Sequence, residues 1–153
     1  MHLDPPTGPP NRFPAQIEGL EFPGGFFTVG RESNDRLAEA SGGTALAAPH
    51  LGLAIVGTLA RNGFSVEQLC RLCGVSMLDG PLLAECRMTL RRPLRFDVEY
   101  RVCAKVVSVE RKKSRRLGAM DLLRFIATLS EPGGEAAAEV LYSWVLPRRD
   151  GGV

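Results

Sequence analysis

The feature that most restricts this chain is residues 47–60, where nearly every side chain is apolar. Leu51, Leu53, Ile55, Val56 and Leu59 fall around the whole circumference at helical spacing, and after His50 only Thr58 is polar. A helix apolar on all sides has to be surrounded by protein. With Pro49 and His50 inside it, the run is well short of the roughly 20 residues of a membrane span, and the predicted helix covers residues 48–60. Gly63 ends it. Ser65-Val66-Glu67-Gln68 then has the spacing of a capping box opening a short second helix that runs to Cys73 and is closed by Gly74.

Downstream the period changes from helical to two. In residues 83–90, Ala84, Cys86, Met88 and Leu90 alternate with Glu85, Arg87 and Thr89, the pattern of a strand with one buried face. Residues 96–109 continue it through Val98, Tyr100, Val102, Ala104 and Val106, and residues 118–129 and 137–146 complete four strands. Short links, among them residues 111–116 and Glu131-Pro132-Gly133-Gly134, imply an antiparallel sheet. Upstream, residues 26–29 form a first β-like run and residues 32–40 a short surface helix stopped by Gly42-Gly43. Residues 1–25 hold six of the eleven prolines and read as an arm. The expected organisation is therefore an arm (1–25), one domain (26–147) and a tail (148–153).

An apolar helix followed by a long antiparallel sheet has one economical α+β solution: the sheet wraps around the helix, which is the hot-dog fold. Sheet edges left open make a dimer the expected state, because each sheet can extend across a two-fold axis. At 153 residues there is chain for one such core.

Net charge of +2 argues against a dedicated nucleic-acid surface, and the chain shows neither a secretory leader nor a membrane span, so a soluble cytoplasmic protein is expected. Cys70-Arg71-Leu72-Cys73 is formally a C-x-x-C, but no second ligand pair stands at zinc spacing, and Cys86 and Cys103 are isolated. The four cysteines read as small packing residues, with no metal and no cofactor expected.

Several segments together resemble one family. Phe27-Thr28-Val29-Gly30, a helix ending in Ala40-Ser41-Gly42, and Pro49-His50-Leu51-Gly52 before the apolar helix occur in the order found in MaoC-like (R)-specific enoyl-thioester hydratases and dehydratases. Arg91-Arg92-Pro93-Leu94-Arg95-Phe96, Val106-Val107-Ser108-Val109 and Pro132-Gly133-Gly134-Glu135 resemble the second half of that family, so that the likeness spans residues 26–147. The resemblance implies a hot-dog fold and an acyl-CoA or acyl-carrier thioester as ligand. It also implies an Asp and a His, spaced S-G-D-x-N-P-x-H, that move water on or off the α,β-bond. Here Ser41 and Gly42 match, but Gly43 stands in place of the Asp, Ala45-Leu46 in place of Asn-Pro, and Ala48 in place of the His. The turn after the proline strand, Gly-Asp in the family, reads Asp97-Val98.

His50 is the one histidine outside the arm. Two readings stand: an acid/base displaced two residues from the family position, or a hydrogen-bonded histidine at a helix start. Glu32, Asp35 and Glu39 are the carboxylates that could approach it, and Asp79 reads as a turn residue. Pro49, Leu51, Gly52 and Gly57 are the expected substrate-lining positions, with backbone N–H groups after Pro49 facing a thioester carbonyl. Tyr100, Tyr142 and Trp144 read as sheet packing. Residues 111–116 carry five cations in six positions. They read as a solvated hairpin or, more sharply, as a phosphate clamp in which Arg115 and Arg116 meet the nucleotide end of coenzyme A or an acidic carrier.

The expected function is a MaoC-like hydratase/dehydratase or its noncatalytic subunit, paired with itself or with a second hot-dog subunit. A thioesterase and a noncatalytic thioester-binding module are the alternatives; the first wants a carboxylate on the apolar helix, where residues 51–60 have none.

Overall fold

The computed structural model describes residues 17–44, 47–116 and 118–148. Strand β1 (Gly25–Thr28) leads into helix α1 (Arg31–Ala40), then α2 (Gly52–Ala60) and α3 (Val66–Leu72). A single 3-10 turn, Met77–Asp79, precedes β2 (Leu82–Leu90), β3 (Glu99–Ser114), β4 (Gly118–Ser130) and β5 (Ala136–Pro147). The five strands form one antiparallel sheet in the order β1-β3-β4-β5-β2, and α2 packs on it against β3, β4 and β5. This is a helix wrapped by a sheet, as the apolar run and the period-two segments require.

α2 begins at Gly52, four residues later than its hydrophobicity predicts. Pro49 has no N–H to donate, the His50 N–H is taken by Asn34 Oδ1 at 2.6 Å, and the His50 ring accepts the Gly52 N–H at 2.9 Å. The chain before Gly52 is thus held by side chains rather than by helical bonds. Within α2, Leu53 and Ala54 are buried, whereas Val56 is 45% exposed, as is Leu51 just before the helix at 49%. One side of the helix stays open in the single chain. The Ser65/Gln68 capping box forms as predicted, both of its bonds being present.

β3, β4 and β5 make a meander, and β2 pairs with β5 at the far edge. Two expectations are corrected. β2 has no buried face, since all of its residues are exposed except the half-buried Met88. As the terminal strand it lies beyond the reach of the helices. The cationic run expected to be a hairpin is largely strand, because β3 continues through Ser114 in register with β4, Arg111 opposite Asp121 and Lys113 opposite Ala119.

Residues 1–16 lie outside the described part; from Ile17 the chain is packed: Ile17 and Phe22 are buried, and Gly19 and Phe22 donate N–H bonds to Val106 and Ala104 of β3. Phe22 lies between Phe64 and Phe125 in tilted ring contacts at 5.0 and 5.2 Å. At the other end, the Arg148 guanidinium bonds both Asp121 and the Cys73 carbonyl at 2.6 Å. Residues 149–153 lie outside the described part. Among the described residues no helix is long and apolar enough to cross a membrane.

Candidate functional site

The residues around His50 are assembled from two turns. After β1 the chain turns at Gly30 into α1, and a short inward stripe on α1 buries Asn34 and Ala38. Asparagine is a poor residue for a helix interior unless its amide is used. Here Oδ1 receives the His50 N–H at 2.6 Å and anchors the chain entering α2. Sequence reasoning missed Asn34; the signal was a polar residue in phase with Ala38 on an otherwise amphipathic helix.

His50 Nδ1 accepts the Gly52 N–H at 2.9 Å, and an imidazole nitrogen that accepts a hydrogen bond carries no proton. The neutral ring therefore holds its proton on Nε2 and presents a donor. It can give a hydrogen bond to a carbonyl; to act as a base through Nε2 it would first have to change tautomer and give up Gly52. No carboxylate among the described residues pairs with it. Glu32 is engaged by Arg36 at 2.6 Å, and Asp35 faces the Asn34 amide at 3.4 Å. Asp79 is the turn residue it was expected to be, its carboxylate accepting the Ser76 N–H.

The backbone donors expected to face a ligand are mostly used within the turn. Leu53 and Ala54 donate to His50 and Leu51 carbonyls, while Gly52 and His50 bond as described above. Pro49, Leu51 and Gly52 do lie together beside His50, partly open to solvent. Gly57 is buried, and a Cβ there would stand 2.4 Å from Cδ1 of Phe27 on β1. The absent side chain lets β1 and α2 touch. Gly52 is close-packed too, a Cβ falling 3.0 Å from His50 Nδ1 and 3.1 Å from Leu37.

Arg115 and Arg116 are remote from this turn. His50 is tied through Asn34 to the start of α1, and Val29, just before α1, accepts the Asp97 N–H immediately ahead of β3. The two arginines follow the other end of that 16-residue strand, at the β3–β4 turn. Arg31, one turn before Asn34 on α1, has its guanidinium 4.3 Å from the Phe96 ring centroid.

Polar chemistry in the core is structural. Tyr142 and Thr58 share a 2.6 Å hydrogen bond, Thr58 Oγ1 donates to the Ala54 carbonyl, and Tyr142 also reaches the Ile55 carbonyl, so α2 is bolted to β5. Burial pushes the Tyr142 phenol up to about 12, opposed by the Thr58 bond. Asp121, in phase with Leu123 and Phe125 on the inward face of β4, is fully buried between Arg111 and Arg148. That bond raises the Arg111 pKa. Burial pushes the Cys73 thiol up to about 12 and raises Cys70 as well, and Cys70 Sγ lies 3.8 Å from Met77 Sδ. Protonated, buried thiols beside a thioether are packing groups. A separate open cavity of about 750 Å³ lies between Glu21–Phe26 and the outer side of β3, with Arg101, Cys103 and Lys105 on its wall; it holds none of the residues around His50.

The sheet, its order and α2 packed against it define a hot-dog protein. Solved structures agree with that fold. The HadBC (3R)-hydroxyacyl-ACP dehydratase complex of Mycobacterium tuberculosis aligns with a TM-score of 0.57 at 17% identity, over 85% of this chain and 97% of that one. The ChsH1-ChsH2 complex of the same organism aligns with a TM-score of 0.61 at 17% identity, over 90% of this chain and 95% of that one. A thioesterase from Thermus thermophilus complexed with coenzyme A and zinc aligns with a TM-score of 0.55 at 18% identity, over 86% and 82%. No protein-family model matches the sequence, and no curated protein sequence does. The likeness to MaoC-like dehydratases read from the sequence segments is thus matched in the fold.

Proposed function

We propose that this chain is a hot-dog subunit that binds the acyl-thioester end of acyl-CoA or of an acylated carrier protein, without a complete hydratase acid/base pair of its own. The observation that carries this reading is the turn before α2: His50 is held by Asn34 and Gly52 as a hydrogen-bond donor, and no carboxylate among the described residues is paired with it. A donor at that point can polarise a thioester carbonyl. Proton removal from the α-carbon, or delivery of water to the β-carbon, needs a base that Gly43 and Ala48 cannot supply. The acyl chain would run along the open side of α2, past Leu51 and Val56, closed over by a second hot-dog subunit that carries the missing pair or repeats this one.

The fold likeness to the HadBC dehydratase complex and to the ChsH1-ChsH2 complex supports the subunit reading. The thioesterase alternative is weaker, because α2 bears no carboxylate to activate water.

Titration of crotonyl-CoA into the purified protein tests the reading. Saturable binding is expected, with hydration of the double bond near the uncatalysed rate, and His50→Ala should weaken binding several-fold. Absence of saturable binding overturns it; rapid hydration by the chain alone would show that a catalytic pair exists elsewhere.

A further inference from the structure

We infer that the open cavity on the outer side of β3 is a binding site for a small organic acid with a flat apolar body, an arylcarboxylate, whose acid group is held by Arg101 and Lys105 and whose ring lies against Phe26. The site is independent of the thioester reading, because it lies on the face of the sheet turned away from α2.

The cavity, about 750 Å³, has residues 21–26 as its wall and the outer faces of β3 and β4 as its floor. Tyr100, Val102 and Ala104 are buried in the core, so Arg101, Cys103 and Lys105 alternate onto the outer face, where Thr128 and Ile126 of β4 stand opposite Cys103 and Lys105. The wall is fixed in place: Phe22 is buried and donates its N–H to Ala104, Gly24 donates to Asn62, and Glu21 bridges Lys105. Between that bridge and the Gly25–Val102 pair of β1, three wall residues oppose two of β3. An extra residue of this kind bends a strand locally, and here it falls beside Cys103. A pre-formed hollow of this size is what small ligands occupy.

Charge decides what fits. The side chains of Arg101 and Lys105 have no hydrogen bond or ion pair among the described residues, and neither has that of Glu21 on the rim. Glu99, two residues before Arg101, lines an adjoining hollow instead. Within the cavity two cations thus face one carboxylate, a balance that admits one negative charge. Four residues along a strand cover about 13 Å, a gap that two long side chains leaning toward each other span, so both reach one acid group above Cys103. A guanidinium takes a carboxylate through two parallel bonds, and the ammonium adds a point charge. The apolar part of the ligand has its own surface: Phe26, directly opposite Arg101 in register, is 59% exposed, with Pro23 and Ile126 further along.

Alkylation of Cys103 by N-ethylmaleimide, followed by mass spectrometry of its peptide, tests the site, with the exposed Cys86 of β2 as the internal reference. 2-Naphthoate should slow the reaction at Cys103 saturably and leave Cys86 unchanged. 2-Naphthamide, of the same shape without the charge, should bind about tenfold more weakly, as should 2-naphthoate to Arg101→Gln or Lys105→Gln. Glu21→Gln should tighten the acid, and Phe26→Ser should weaken acid and amide alike. All four side chains are exposed, and thermal melting of each variant checks that the fold is intact. No protection of Cys103 at millimolar naphthoate, equal protection by the amide, or an affinity indifferent to both cation changes overturns the inference.

Discussion

Replacing Gly57 by Ala sets two opposed magnitudes against each other. In a helix interior alanine is favoured over glycine by about 1 kcal/mol, so without tertiary contacts the change would stabilise α2. The structure says otherwise. The new Cβ would stand 2.4, 2.7 and 2.8 Å from Cδ1, Cγ and Cε1 of Phe27, all well inside ordinary carbon contact. Phe27 would have to retreat by roughly 1 Å, and it belongs to a four-residue strand at the sheet's other edge. Overpacking of this kind costs about 1–3 kcal/mol. With the propensity gain subtracted, the upper part of that range leaves a net loss of about 1–2 kcal/mol, a fall in Tm of about 3–6 °C for a domain this size. Thermal unfolding at fixed protein concentration measures it. Trimming the obstacle supplies the control: combined with Phe27→Leu, Gly57→Ala should cost less than it does alone, and the double-mutant cycle should show a favourable coupling between the two changes. A Gly57→Ala protein more stable than wild type would refute the close approach of β1 and α2.

Two further perturbations probe the core. Asp121→Asn leaves Arg148 and Arg111 without the buried acid between them and should cost about 3 kcal/mol in urea unfolding; a loss under about 1 kcal/mol would mean that the cluster does not pin β5 to α3. The Tyr142 phenol, pushed up to about 12, favours the folded state in its protonated form. Its contribution is whole below pH 10 and drains away as pH rises from 10 through 12, up to about 3 kcal/mol. The difference in stability between wild type and Tyr142→Phe should narrow across that window, and a difference that stays constant refutes the burial argument.

Chain periodicity alone determined the helices and strands as local objects. The apolar run could only be a helix packed on the core, Ser65 and Gln68 could only cap a helix start, and residues 83–147 alternate because strands do. The break in the family motif at Gly43 and Ala48 was equally plain, since it needs only residue identity. Tertiary structure decided the rest, for one physical reason: hydrogen bonds and contacts between residues far apart in sequence leave no periodic trace. Nothing around Asn34 announces that it will hold the His50 N–H sixteen residues later. Gly57 is marked as unusual in a helix, but only Phe27 explains it. Residues 111–114 look like a turn by charge and become strand because a buried Asp121 lies opposite. The alternation in β2 promised a buried face, and the sheet order put that strand at an edge where a single chain has nothing to cover it.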